Sequence, residues 1–198
     1  MVEFKIPSVP AMPHDAVARL EQGLRSSRSY LEYGSGGSTA LALRSGIQAL
    51  ICVESDQAWL AQLKASLPPA DQVQCHFIHA DIGPTKEWGH PVDHSRWPQF
   101  HTYPLAGWLT AKAEGLEPDL VLIDGRFRRA CFYSALIFAA PGTVVLFDDY
   151  SDRRFYHSVE RLCRPVAMHD RMAEFIIPAD VDKTSAWLAF TQAVTELH

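Results

Sequence analysis

The sequence predicts an α/β domain: a doubly wound, mostly parallel sheet of seven strands with helices on both faces and an antiparallel hairpin near its carboxyl end. Three observations carry that prediction. Helix-like and strand-like hydrophobic periods alternate from Ala16 to Asp149, the strands read as continuous apolar runs suited to burial on both faces, and two strand-like runs near the C-terminus have almost nothing between them.

Taking the elements in order, Ala16, Val17, Leu20 and Leu24 recur at helical spacing within an N-terminal helical segment, 1–28, and Ser29 to Tyr33 is a short strand. A glycine loop follows, after which Ser38 or Thr39 can cap a helix through Arg44 that Gly46 ends. Ala49 to Val53 is the next buried strand, closed by Glu54; a helix from Asp56 to Leu67 stops before Pro68 and Pro69, and Val73 to Ala80 is a third strand finishing at Asp81. Asp119 to Asp124 and Thr143 to Asp148 are further strands, with a helix from Phe127 to Ala139 between them. A short helix near Arg154 to Leu162 precedes the hairpin, Val166 to His169 and Met172 to Ile177, and an amphipathic helix from about Thr184 to Glu196 ends the chain. From Gly83 to Pro104 the rhythm breaks: four prolines, the histidines His90, His94 and His101, and the aromatics Trp88, Trp97, Phe100 and Tyr103 suggest an ordered, lid-like insertion, 83–104.

Composition agrees with one domain over 1–198. The 198 residues are 47% apolar and 21% charged, and at this length roughly 70% of the unfolded surface is buried, so neither disulfide nor structural metal is needed. Cys52, Cys75, Cys131 and Cys163 lack paired metal spacing and read as free thiols. Eighteen basic and 23 acidic residues give a net charge of −5, with no basic stripe, which argues against a nucleic-acid partner. The longest apolar run, around Ala135 to Phe147, is interrupted by Pro141 and Gly142 and falls short of the ~20 residues that span a bilayer. Met1 to Lys5 carries an acid and no apolar leader, which points to the cytoplasm; a homodimer stays open.

The chemistry concentrates at predicted strand ends. In Glu32-Tyr33-Gly34-Ser35-Gly36-Gly37-Ser38 the glycines sit where a buried strand must turn into a helix and where open α/β sheets bind ligands. Glu54 stands 20 residues after Gly34, the position from which a carboxylate reaches both hydroxyls of a ribose. A nicotinamide dinucleotide would want a third glycine where Thr39 stands, and no Gly-Lys-Ser or Gly-Lys-Thr supports a P-loop.

The acid-x-Gly-x-Gly-x-Ser pattern of Glu32, Gly34, Gly36 and Ser38 resembles the first motif of class I S-adenosylmethionine-dependent methyltransferases, which have a Rossmann-like fold. The resemblance implies that Glu32 and the loop backbone hold the methionine part of S-adenosylmethionine, that Glu54 holds the ribose, and that Asp81 contacts the adenine amino group. The cofactor set it implies is Glu32, Gly34, Ser35, Gly36, Ser38, Glu54, Asp81, Ile82 and Asp124.

Asp124, Asp148 and Asp149 should converge beside the loop, since the fourth strand ends in Ile123-Asp124-Gly125 and the fifth in Phe147-Asp148-Asp149-Tyr150. Such a cluster persists with a hard cation such as Mg²⁺, with a proton to transfer, or as loop-bracing groups. The pattern resembles metal-dependent O-methyltransferases, nearest the macrocin type; catechol and caffeoyl-CoA enzymes have asparagine in place of Asp149, and the macrocin type has an acid in place of Arg126. The resemblance implies Asp124, Asp148 and Asp149 as metal ligands and Asp124 and Asp148 as catalytic residues. Arg126, Arg128 and Arg129 begin a helix where positive charge opposes the macrodipole; they serve either an anionic group of a small-molecule acceptor or salt bridges to the nearby aspartates. His90, His94 and His101 read as substrate contacts or surface groups rather than metal ligands. The expected activity is methyl transfer to a hydroxyl oxygen; an inactive binding homologue, an NAD-dependent oxidoreductase and an aminopropyltransferase are the rivals.

Overall fold

The computed structural model describes residues 9–68 and 72–196, so the reading of Met1 to Lys5 lies outside the described residues. In chain order the elements are α1 (His14–Ser26), β1 (Ser29–Tyr33), α2 (Gly37–Arg44), β2 (Ala49–Glu54), α3 (Gln57–Ser66), β3 (Gln74–His79), β4 (Thr85–Lys86), β5 (His90–Pro91), α4 (Thr102–Glu114), β6 (Leu120–Ile123), α5 (Arg128–Phe138), β7 (Val144–Phe147), β8 (Ala167–His169), β9 (Met172–Ile176) and α6 (Lys183–Ala193). Seven strands form one sheet in the order β3-β2-β1-β6-β7-β9-β8, while β4 and β5 pair as a separate ribbon. The first five are parallel, and β9 runs antiparallel to both β7 and β8. The expected doubly wound sheet with a closing hairpin is therefore what forms.

Alternation along each strand divides the core. Tyr30, Leu50, Cys52, Leu120, Leu122 and Leu146 face α1 and α2, burying Ala16, Leu20 and Leu24 with them. On the other face, Leu31, Tyr33, Val53, Ile123 and Phe147 pack with residues of α4, α5 and α6. All four cysteines are free.

Three details depart from the sequence reading. Helix α2 begins one residue before Ser38, with Gly36 as its N-cap, because the Ser38 and Thr39 hydroxyls are directed to Glu32. Helix α4 departs from the sequence reading: Pro104 lies in its first turn, and although Tyr103, Gly107, Trp108 and Ala111 share one buried face, the apolar Leu105, Ala106 and Leu109 fall outside it, which erases the one-face hydrophobic period. Gly107 belongs to it too, since a Cβ there would run into the Leu31 side chain. The carboxyl end of the 83–104 segment accordingly belongs to the core, where Phe100 and Tyr103 are both fully buried against Phe127; Trp88 and Trp97 remain exposed.

Candidate active site

Strands β1 and β6 are neighbours although far apart in sequence, and strand order reverses between them, so a crevice opens outside their carboxyl ends. Register places Tyr33 beside Val53 on one side and Ile123 on the other, which brings the glycine loop next to Glu54 and Asp124. Gly34 has φ +90°, a left-handed backbone that favours glycine, and a Cβ on it would lie 2.8 Å from the Cα of Gly125.

Glu32 lies beneath this loop. Its carboxylate is fully buried and accepts hydroxyl hydrogen bonds from Tyr30 at 3.2 Å, from Ser38 at 2.8 Å and from Thr39. Burial pushes its carboxyl up to about 7, against the pull of those hydroxyls. Glu32 and Ser38 therefore brace the first turn of α2, and Gly36 N–H completes the brace by donating to Thr39 Oγ1 at 3.0 Å.

Glu54 is the knot at the crevice. Its Oε2 accepts from Ser35 N–H at 3.0 Å and Ser35 Oγ at 2.8 Å, and its Oε1 from the N–H groups of Ser55 at 2.7 Å and Asp56 at 3.0 Å. Trp59 Nε1 donates to the Ser35 carbonyl at 2.9 Å, fixing the loop from α3. Ser55 Oγ donates to Gly89 O at 2.9 Å, which draws the ribbon of β4 and β5 over the same acid. Beside Glu54 a cleft of about 520 Å³ is lined by Ser55, Asp56, Ala61, His79, Asp81 and Gly83, within the usual size of a small-molecule site. Asp81 is exposed on its rim, its carboxyl held low first by Gly83 N–H at 2.9 Å and then by Arg96; Ile82 is buried behind it.

The three aspartates do converge, with one oxygen from each of Asp124, Asp148 and Asp149 within 4.8 Å of the others. Guanidinium groups, however, already answer their charge. Arg171 grips Asp148 with Nε at 3.1 Å and Nη2 at 2.9 Å, and also meets Asp149 at 3.0 Å. Arg128, almost wholly buried, pairs with Asp124 at 3.0 Å and Asp149 at 3.1 Å while donating to the carbonyls of Asp124, Gly125 and Asp148. Arg153 adds a contact to Asp149 at 2.8 Å. A divalent cation placed among these oxygens would stand against three guanidinium charges, so the residues do not fit the Mg²⁺ that the macrocin resemblance implies. Asp149 itself has φ +56°, a conformation that Asp tolerates and that turns its side chain into this network.

The two expected catalytic acids differ. Asp148 is 1% exposed and held by the Arg171 fork, a geometry suited to an ion pair rather than to proton transfer. The side chain of Asp124 is 34% exposed, and burial together with Asp148 and Asp149 pushes its carboxyl up to about 7, with Arg128 pulling the other way. For Arg128 and Arg129 salt bridging is the structural outcome, Arg129 with Glu196 at 2.6 Å; Arg126 has no such partner among the described residues. Sequence reasoning missed Arg153 and Arg171, which lie beyond the strand ends with no motif to mark them, and Tyr103, whose hydroxyl accepts from Arg126 N–H at 3.2 Å.

No family model and no curated protein matches the chain. Among solved structures, a methyltransferase-like protein from Silicibacter pomeroyi is 34% identical, covers 96% of this chain and 100% of its own, and superposes with a TM-score of 0.83. An O-methyltransferase from Bacillus cereus in complex with SAH is 17% identical, with 86% of this chain and 82% of that one covered at a TM-score of 0.52. A putative methyltransferase from Escherichia coli is 12% identical, with 89% and 92% covered at 0.54. The last two carry the fold alone. Identity and coverage together with the first establish that this chain belongs to the same methyltransferase-like family.

Proposed function

We propose that this protein transfers a methyl group from S-adenosylmethionine to an oxygen of a small molecule, with a carboxylate rather than a metal receiving the acceptor's proton. The observation that carries the reading is Glu54: a strand-end carboxylate bonded to Ser35 of the glycine loop and to the amides of Ser55 and Asp56, two residues that line a cleft of about 520 Å³. S-adenosylmethionine supplies, when bound, an electrophilic methyl group on a positively charged sulfur. The chain's part is to hold two reactants in line and to take up a proton.

Glu54 suits the ribose, because Ser35 and Ser55 can yield hydroxyl contacts to a diol while the N–H groups of Ser55 and Asp56 keep the carboxylate oriented. Asp81 and Ile82, at the end of β3, are the adenine side, and the amides of Gly34, Ser35 and Gly36 are the methionine side. Asp124, partly exposed at the end of β6 with a carboxyl near 7, is the group that can accept a hydroxyl proton at neutral pH. A nicotinamide reading is weaker, because Thr39 fills the third glycine's place and its hydroxyl is committed to Glu32 and Gly36.

The test is turnover: S-adenosylhomocysteine release from S-adenosylmethionine, followed with a panel of hydroxylated acceptors in the presence of EDTA. Release that persists under chelation and disappears in Asp124→Asn supports the reading. A requirement for Mg²⁺ would overturn the proton-acceptor assignment.

A further inference from the structure

Four arginines, Arg126, Arg128, Arg153 and Arg171, surround the three aspartates of the crevice, and three of them account for every ion pair those aspartates make among the described residues. Arg126 is the one left over. It is 7% exposed, its Nε is buried without a hydrogen-bond partner, and only its Nη1 is engaged, against the ring of His90. No carboxylate among the described residues pairs with it. Burial and the neighbouring cations Arg126, Lys86, Arg153 and Arg128 pull His90 down to about 4, so at neutral pH the ring is uncharged and takes a guanidinium N–H on its lone pair.

A buried guanidinium with an orphaned Nε–H is costly to maintain and is ordinarily completed by an oxyanion, because Nε and the adjacent Nη form a planar fork that matches a carboxylate or phosphate edge. Its position fixes which ligand could complete it. Arg126 follows Gly125 at the end of β6, and its N–H is held by Tyr103. His90 arrives from the ribbon that Ser55 ties down beside Glu54. The Arg126 side chain thus meets His90, whose neighbour Gly89 lies against Glu54, while its backbone follows Asp124 and Gly125, so the residue stands between the two acids of the crevice.

We infer that Arg126, oriented by His90, is an anion seat for a carboxylate or phosphate group carried by the methyl acceptor. This rests on the methyl-transfer reading and deepens it: the acceptor is an anionic small molecule whose hydroxyl is presented to Asp124 while its oxyanion is held by Arg126. His90 is then a positioning residue, which the β4–β5 ribbon holds against the guanidinium.

The same oxyanion chemistry is found in the carboxylate of the cofactor itself, so the experiment separates the two. Inorganic phosphate and benzoate are titrated calorimetrically into wild type and Arg126→Gln, each with and without saturating S-adenosylhomocysteine, and S-adenosylhomocysteine is titrated into both proteins. The expected result is anion binding that survives S-adenosylhomocysteine saturation and weakens at least tenfold in Arg126→Gln, with S-adenosylhomocysteine affinity changed less than twofold. Arg126→Lys should also bind the anion more weakly than wild type, since a point charge lacks the fork. The inference is overturned if neither anion binds wild type, if Arg126→Gln binds them equally well, or if S-adenosylhomocysteine displaces them and itself binds tenfold more weakly to the variant. Failure of wild type to bind S-adenosylhomocysteine, with Arg126-dependent anion binding retained, would instead overturn the methyl-transfer reading and leave the seat standing. Should Arg126→Gln not fold, the Arg126 Nε–H resonance of the wild-type protein must shift on phosphate addition; an unmoved resonance overturns the seat.

Discussion

Gly34 and Gly125 touch backbone to backbone at the point where the strand order reverses: a Cβ on Gly34 would lie 2.8 Å from Gly125 Cα, and one on Gly125 would lie 2.7 Å from Gly34 N and run into the Tyr103 hydroxyl. The contact holds the glycine loop against the end of β6, so the proposed cofactor and acceptor sides of the crevice share one support. Gly125→Ala should therefore cost about 3 kcal/mol in urea unfolding, the upper range for overpacking a close contact. Gly46→Ala is the comparison, because nothing lies within 4 Å of its Cβ position and only its φ of +82° opposes a side chain; a loss of about 1 kcal/mol is expected there. Equal losses would contradict the contact.

The arginine network makes a prediction about metal. Since Arg128, Arg153 and Arg171 already neutralise the three aspartates, millimolar Mg²⁺ should leave the melting temperature unchanged and EDTA should not lower it. A rise in melting temperature with Mg²⁺ that vanishes in Asp149→Asn would show that the cation competes successfully with guanidinium.

Removing Arg171 should be severe. Asp148 is 1% exposed and loses both arms of its fork in Arg171→Ala, which leaves a buried charge uncompensated at a cost of about 3 kcal/mol or more. The double variant Asp148→Asn with Arg171→Ala should recover part of that loss in denaturant titration. Additive losses would mean that the pair is not coupled.

Glu32 gives stability a pH dependence with a definite sign. Its carboxyl is raised to about 7 in the folded protein, so the folded state holds a proton that the unfolded chain has already released. The associated stabilisation is complete below the unfolded value near 4.5 and is lost as pH rises through 7. Melting curves at pH 5 and pH 8 should thus fall further apart for wild type than for Glu32→Gln, whose amide oxygen can still accept from the hydroxyls. Identical separations would contradict the buried, proton-holding carboxyl.

How much of the site is legible in the sequence varies with the physics involved. The mostly parallel sheet, its closing hairpin and the strand-end acids follow from local periodicity and from glycine at forced turns, so Gly34, Glu54, Asp81 and Asp124 all lie where their strands end; the strand order depends on long-range pairing that periodicity does not carry. Helix α4 was hidden because Leu105, Ala106 and Leu109 place apolar side chains off the buried face of Tyr103, Trp108 and Ala111 and so cancel the amphipathic signal. The Arg171 clamp on Asp148 and Asp149 was hidden for a different reason: Arg171 comes from the hairpin turn, and only folding brings it to these carboxylates, whereas the salt bridges of Arg128 were one of the two readings its place after Asp124 allowed. An acidic run read alone suggests a cation; the cation turned out to be supplied by the chain.

Ser55 links the crevice acid to the ribbon, and that link is testable by hydrogen exchange. Ser55→Ala removes the bond to Gly89 O, worth about 1 kcal/mol, so amides of residues 85–91 should exchange about fivefold faster while those of α4 are unaffected. Unchanged exchange in the ribbon would mean that Gly89 is held by something else.

The central claim is that Glu54 is the ribose acid of an S-adenosylmethionine site, and calorimetry with S-adenosylhomocysteine tests it most directly. Wild type should bind with micromolar affinity, about −8 kcal/mol, and Glu54→Ala should lose about 2 to 3 kcal/mol of it while remaining folded by circular dichroism. Equal affinity for wild type and Glu54→Ala, or binding of NAD in place of S-adenosylhomocysteine, would contradict it.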